Sequence, residues 1–87
     1  MKIGFIGTGN MGSSMIRGMV TSGAVSGGNI NVFDLDRMKA EELAKEYGVT
    51  FLGSEVEVAE KSDIVILAVK PNIYREVLEK IKDIINK

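Results

Sequence analysis

Apolar residues follow two different spacings along this chain, and the two alternate regularly. Short continuous apolar runs, which are typical of buried strands, are separated by stretches with an apolar residue every three or four positions, which are typical of helices. The runs predict strands at residues 2–6, 30–33, 49–52 and 63–69. The helical spacing predicts helices at residues 10–22, 37–47, 55–61 and from residue 72 onwards. This alternation predicts an α/β fold, with a parallel sheet and helices on both of its faces.

Polar residues at the predicted helix starts have the chemistry of N-caps. Asp36 and Ser54 each precede a helix, and Glu57 follows Ser54 at the spacing of a capping box. Pro71 is expected to end the fourth strand, and Asn72 to cap the last helix. The helix boundaries are therefore predicted by local chemistry as well as by periodicity.

The helical spacing also predicts which side chains face the sheet. In the first two helices these are Met11, Met15, Ile16, Met19 and Val20, then Met38, Leu43, Ala44 and Tyr47. In the last helix they are Ile73, Val77, Leu78, Ile81, Ile84 and Ile85. Gly18, in mid-helix, is interpreted as a close helix–sheet contact. The unbroken apolar run at residues 63–69 predicts a strand buried on both faces.

Three glycines between the first strand and the first helix form the pattern Gly-x-Gly-x-x-Gly. Gly7 would allow a tight turn, Gly9 would let backbone approach a pyrophosphate, and Gly12 would let the helix pack closely on the strand. The helix N-terminus would offer free N–H groups and a positive dipole end to the phosphates. This context predicts dinucleotide binding, whereas the absence of Gly-Lys-Ser/Thr disfavours a mononucleotide P-loop.

Asp34 ends the second strand, 22 residues after Gly12. A carboxylate at this distance can accept both hydroxyls of an adenosine ribose and repels a 2′-phosphate, which favours NADH. Arg37 argues for NADPH, since a guanidinium can bind a 2′-phosphate, although it can also stack on adenine. The alternatives are that Asp34 is a helix cap or a solvated loop residue and that Arg37 is a surface charge.

The segment from Ala68 to Pro71 ends the fourth strand. Ligands of open α/β sheets bind beyond the carboxyl ends of the strands, at the switch point between strands one and four. The backbone of Ala68 and Val69 is therefore expected to line the cleft, and Lys70 to be a catalytic residue, a phosphate partner or merely a strand-end cation. The fold class that results is a three-layer, Rossmann-like parallel sheet of four strands in the order 3-2-1-4.

Composition narrows the function further. The 87 residues allow one domain, residues 1–87, and the net charge of −1 gives no basic face for nucleic acid. The absence of cysteine excludes disulfides and thiolate catalysis, and fits a cytoplasmic location. We find no apolar run of membrane-spanning length, no signal peptide, no metal-ligand spacing and no nucleophile–base pair. Apart from the alternative left open for Lys70, no catalytic residue is therefore predicted.

Two segments resemble one enzyme family. Residues 1–12 (MKIGFIGTGNMG), with Met15, Ile16 and Gly18 after them, look like the start of pyrroline-5-carboxylate reductases. Residues 62–71 (SDIVILAVKP) resemble that family's second signature. The resemblance implies an oxidoreductase acting on a C=N bond, which reduces 1-pyrroline-5-carboxylate to proline with NADPH or NADH in proline biosynthesis. By this resemblance, residues 7–11 and 68–71 would contact the dinucleotide, and Asp34 its adenosine ribose or the phosphate on it. The full set of predicted dinucleotide contacts is Ile6, Gly7, Thr8, Gly9, Asn10, Met11, Gly12, Asp34, Arg37, Ala68, Val69, Lys70 and Pro71.

The chain departs from the family pattern in two respects. Family members often carry Ser near position 34, so Asp34 puts the usual NADPH preference in question. The family also adds further strands and a helical dimerisation domain that supplies the substrate pocket, so the complete enzyme is expected to be a homo-oligomer. The present chain alone is expected to bind a dinucleotide weakly and to catalyse nothing. The other hypotheses are a non-catalytic dinucleotide-binding module and a related imine or β-hydroxyacid reductase.

Overall fold

The computed structural model describes residues 1–85, and for Ile85 only its place in a helix. The strands are β1 (Ile3–Ile6), β2 (Ile30–Phe33), β3 (Thr50–Phe51) and β4 (Ile64–Leu67). The helices are α1 (Asn10–Thr21), α2 (Arg37–Tyr47), α3 (Glu55–Lys61) and α4 (Pro71–Ile85), and a 3₁₀ turn (Gly27–Asn29) precedes β2. The predicted alternation of strands and helices is confirmed, although β3 and β4 are shorter than predicted.

The four strands form one parallel sheet in the order β3-β2-β1-β4, which confirms the predicted topology. The central strand β1 pairs with both neighbours in register, so that Ile3 lies beside Ile30 on one side and Ile64 on the other. Because the strands are parallel and aligned, β1, β2 and β4 end at the same edge of the sheet. The loops that follow these three strands are therefore neighbours.

Two hydrophobic clusters cover the two faces of the sheet. Alternate residues of a strand point to opposite faces, so Phe5 belongs to one cluster and Ile6 to the other. On the first face α1 and α2 contribute Ile16, Ala40 and Leu43, and on the second face α3 and α4 contribute Val58, Ala59, Val77 and Ile81. The result is the three-layer arrangement expected from the sequence, in which three of the four residues of β1 are buried.

The predicted caps of α2 and α3 are confirmed. A side-chain oxygen of Asp36 accepts a hydrogen bond of 3.3 Å from the N–H of Lys39, and Ser54 Oγ accepts one of 3.1 Å from Glu57. The expected cap at Asn72 is wrong, because α4 already begins at Pro71. Proline suits the first position of a helix because its missing N–H would have no partner there.

Several predicted contacts of the helices are wrong. Met11 and Met38 are 76% and 73% exposed, and a Cβ added at Gly18 would meet nothing within 4 Å. Each methionine is the second residue of its helix and lies beyond the end of the preceding strand. Periodicity predicts the face of a helix, but it does not predict where the sheet beneath that face ends. The predicted burial of Ile85 lies outside what the structure describes.

The fourth strand is not buried on both faces as predicted. Ile64 is 45% exposed, and the other residues of β4 are half-buried. The physical reason is its place in the sheet, because within residues 1–85 β4 pairs only with β1 and its other edge is open. A continuous apolar run therefore marked an edge strand here.

Candidate functional site

A cleft of about 420 Å³ lies at the carboxyl edge of the sheet, where β1, β2 and β4 end. Of the residues predicted to contact a dinucleotide, those that line it are Ile6, Gly7, Gly9, Asp34, Ala68, Val69 and Lys70. They come from three separate segments, which the parallel register brings to one place. The cleft therefore lies at the switch point where the sequence places it.

Gly7 is required by the fold itself. Its φ is 88°, in the left-handed region that favours glycine. A Cβ there would lie 2.6 Å from Val69 Cγ1 and 2.7 Å from the carbonyl oxygen of Ala68. The Gly7 N–H donates a 2.8 Å hydrogen bond to the carbonyl of Phe33. Gly7 thus turns the chain tightly while joining β1 to the ends of its two neighbours.

Gly9 differs, because the fold tolerates a side chain at this position. A Cβ there would meet only the Ala68 carbonyl oxygen, at an ordinary contact distance of 3.6 Å. Gly9 is the N-cap of α1 and offers no side chain to its first turn, whereas α2 and α3 both have side-chain caps. The N–H groups of Asn10, Met11 and Gly12 have no acceptor within the helix. They are available to an external acceptor beside the cleft.

Gly12 and Ser13 fix the start of α1 against the sheet. A Cβ on Gly12 would lie 2.9 Å from that of Ala68, so glycine allows α1 to approach the end of β4. Ser13 Oγ donates a 2.6 Å hydrogen bond to the carbonyl of Thr8. Of the remaining predicted residues, Asn10, Met11 and Pro71 are exposed and lie outside the cleft lining.

Asp34 is bound to the glycine loop. Its Oδ2 accepts hydrogen bonds from the Thr8 N–H at 2.7 Å and the Thr8 hydroxyl at 2.6 Å. Its Oδ1 accepts one of 2.8 Å from the N–H of Asp36. Thr8 is fully buried, so its hydroxyl needs an acceptor inside the protein. The sequence did not predict this pair, because the pair depends on the register of β1 against β2.

The surroundings of Asp34 stabilise its ionised form. Burial raises the pKa of its carboxyl, but the Thr8 hydroxyl, the N–H groups of Asp36 and Thr8 and the charge of Lys39 lower it. The lowering contributions prevail, so the pKa lies below its ordinary value. Asp34 is therefore a carboxylate at neutral pH, and the cleft has a fixed negative charge at the end of β2.

Arg37 is not brought into the cleft, contrary to expectation. Its Nη2 lies 4.0 Å from Glu41 Oε1, and its Cζ lies 5.7 Å from the ring centroid of Phe51. Both partners draw the guanidinium toward α2 and β3. The cation that lines the cleft from α2 is Lys39, two residues later. Lys39 is absent from the set of contacts that the sequence predicts.

Apolar walls of the cleft were also missed. Leu35 is 75% exposed, yet it lines the cleft directly after Asp34. Ile73 and Val77 of α4 line it too, together with the carboxylate-bearing Glu55 at the start of α3. The sequence did offer a signal for Leu35, because it is an apolar residue that lies in the loop after Asp34 and belongs to no helical face.

Other kinds of site are absent from the part of the chain that the structure describes. Among residues 1–85 no three potential acidic or histidine ligands come together to hold a metal ion. None of the helices described is both long and apolar enough to cross a bilayer.

Comparison with known proteins gives several pyrroline-5-carboxylate reductases that match almost the entire chain. The chain is 42% identical to pyrroline-5-carboxylate reductase from Escherichia coli (strain K12) over 86 residues, which is 99% of this chain. A pyrroline-5-carboxylate reductase structure from Coxiella burnetii matches 95% of it, with a TM-score of 0.88 and 32% identity. The Plasmodium falciparum pyrroline carboxylate reductase, solved with NADP bound, matches 99% with a TM-score of 0.84 and 29% identity.

The matches confirm the predicted resemblance and also limit it. The chain spans 32% of the length of the Escherichia coli reductase and 30% of each of the two solved chains. The family model described as NADP oxidoreductase coenzyme F420-dependent matches residues 2–87. This chain therefore belongs to the NADP oxidoreductase coenzyme F420-dependent family, and it is similar to about a third of the length of pyrroline-5-carboxylate reductases.

Proposed function

We propose that this chain binds a nicotinamide dinucleotide in the cleft and forms the cofactor-binding part of a pyrroline-5-carboxylate reductase. The observation that carries the proposal is the uncapped N-terminus of α1, which follows the glycine loop directly at the switch point of the sheet. The bound NADP of the Plasmodium falciparum reductase supports it, because that chain has the same fold over this region. The names of the other relatives support the reaction.

The residues of the cleft fit the parts of such a cofactor. A pyrophosphate needs N–H donors and a backbone without a side chain in the way, which α1 and Gly9 offer. An adenosine ribose needs an acceptor for its hydroxyls, which the ionised Asp34 supplies. An adenine ring needs apolar walls, and Leu35, Ile73 and Val77 provide them.

The bound nicotinamide would supply the hydride that reduces the C=N bond of 1-pyrroline-5-carboxylate to proline. The residues of this chain bind and orient the adenosine and pyrophosphate half. The groups that hold the substrate would lie in the additional residues of the full-length enzyme, outside this chain. A homo-oligomeric enzyme is part of the proposal.

For the choice of cofactor we propose a preference for NADH. The carboxylate of Asp34 would repel a 2′-phosphate, and the position of Arg37 outside the cleft lining, 4.0 Å from Glu41, supports this preference. The NADP-bound relative shows that a chain of this fold accepts the phosphorylated cofactor, so exclusion of NADPH is not expected.

The reductase function is tested on the full-length protein that contains this sequence. With 1-pyrroline-5-carboxylate, oxidation of NADH or NADPH should be stoichiometric with the proline formed. Omission of the substrate is the control for adventitious cofactor oxidation. Binding of a dinucleotide without turnover would refute the reductase assignment and leave a binding module, whereas absence of binding would refute the site itself.

A further inference from the structure

We propose that Lys39 is the residue that lets this site accept a 2′-phosphate, and that Arg37 has no part in that choice. The inference rests on the proposed function, since it concerns which adenosine the same cleft selects. It assigns a specificity-determining role to a residue that belongs neither to the glycine motif nor to the position of Asp34 at the end of β2.

The position of Lys39 follows from the cap of α2. Asp36 is the N-cap, and its side chain accepts a hydrogen bond from the Lys39 N–H, which fixes Lys39 in the first turn. From this turn the half-buried Lys39 lines the cleft on the same side as Asp34 and Leu35. Its ammonium group is close enough to Asp34 for its charge to lower the pKa of that carboxyl. Lys39 and Asp34 thus present opposite charges to the same part of the cleft.

The other cations near the cleft are placed differently. Arg37 is paired with Glu41 and lies over the ring of Phe51, outside the cleft lining. Lys70 does line the cleft, but it follows β4, two strands away from β2. Lys39 has no ion pair within 4.0 Å among the residues described, so its charge is available to a ligand.

Because Asp34 and Lys39 carry opposite charges at one subsite, we expect the site to tolerate a 2′-phosphate and not to exclude it. A 2′-phosphate on the adenosine would be repelled by the carboxylate of Asp34 and attracted by the ammonium of Lys39. Both charges are close to solvent, so each effect is moderate and falls as salt rises. Without Lys39 only the repulsion would remain. The selection against 2′-phosphate should then become moderately stronger.

The test uses two probes that differ only in this group, adenosine 5′-monophosphate and adenosine 2′,5′-bisphosphate. The 87-residue chain is compared with Lys39→Gln and with the matched control Arg37→Gln, by calorimetric or NMR titration at low salt. Lys39→Gln keeps the backbone N–H that donates a hydrogen bond to the Asp36 side chain, so the N-cap of α2 is retained. Lys39→Arg serves as the conservative variant, and thermal unfolding confirms that each variant is folded.

We expect Lys39→Gln to weaken binding of the bisphosphate by about tenfold relative to binding of the monophosphate, equivalent to about 1.4 kcal/mol. Lys39→Arg should restore the ratio, and Arg37→Gln should change it less than about twofold. The role of Lys39 is overturned if Lys39→Gln leaves the affinity ratio of the two probes unchanged, or if Arg37→Gln changes that ratio equally. In either case, binding of the monophosphate would still support the site. If the parent chain binds neither probe, the proposed function fails and the role of Lys39 fails with it.

Discussion

One carboxylate oxygen of Asp34 accepts both hydrogen bonds that Thr8 donates, at 2.7 Å from its N–H and 2.6 Å from its hydroxyl. The pair links the glycine loop after β1 to the end of β2, across 26 residues of sequence. Asp34 thereby has two roles. Oδ2 holds the loop in shape, and Oδ1, which accepts only from Asp36 within the described residues, remains open to a ligand.

Replacing Thr8 by valine should destabilise the chain by about 1–2 kcal/mol, because a charged acceptor loses one donor while the side-chain volume is kept. Urea unfolding measures the loss. A double-mutant cycle with Asp34→Asn should show that the two changes are not additive. Full additivity would contradict a direct Thr8–Asp34 interaction.

The contribution of Asp34 to stability should depend on pH. Its pKa is lower in the folded chain than in the unfolded chain, so the unfolded state takes up the proton first. The stabilisation is fully present above the unfolded pKa and is lost as the pH falls through the lower, folded pKa. Unfolding of the parent chain and Asp34→Asn between pH 7 and pH 2.5 should show a free-energy difference that shrinks below about pH 4. A constant difference would contradict this assignment.

Alanine substitutions at two neighbouring glycines should separate folding from binding. Gly7→Ala should destabilise strongly, by about 2–4 kcal/mol, because its Cβ would overlap the end of β4 at a positive φ. Gly9→Ala should change stability by less than about 1 kcal/mol, since nothing in the fold crowds its Cβ. If Gly9 faces a pyrophosphate, the same change should weaken dinucleotide binding by about tenfold or more. Unchanged binding in Gly9→Ala would argue that the loop does not contact the phosphates.

Asp34→Ser should shift the preference from NADH toward NADPH, because it removes the charge that repels a 2′-phosphate and leaves Lys39 in place. We expect the affinity ratio to change by about tenfold or more. Titration of both cofactors into both chains measures it, and the Thr8→Val variant controls for loosening of the loop. An unchanged ratio would show that Asp34 does not face the ribose.

The parts of this structure that the sequence could predict depend on local chemistry or on strict periodicity. The caps at Asp36 and Ser54 follow from local sequence rules, and the strand order follows from the alternation of strands and helices with right-handed crossovers. The glycine loop was predictable because Gly7 must turn the chain wherever a strand is followed by a helix in this way.

The parts that could not be predicted depend on which of several partners a side chain chooses in three dimensions. Arg37 had two possible roles at a ligand, but its contacts with Glu41 and Phe51 depend on how α2 lies against β3. The exposure of Met11 likewise depends on where the sheet ends. The Thr8–Asp34 pair required the register of β1 against β2, which no local pattern specifies.

The most direct test of the account is a titration of the ¹⁵N-labelled chain with NADH and NADPH, followed by NMR. If the dinucleotide binds in the cleft, the largest shift changes are expected at the amides of Gly9, Asn10, Met11 and Gly12, with further changes at Asp34 and Val69. The exposed surface of α2 around Glu42 and Lys45, which faces away from the cleft, should stay unchanged. Saturable shifts confined to another surface, or no saturable shift at millimolar cofactor, would contradict the claim that this cleft binds the dinucleotide.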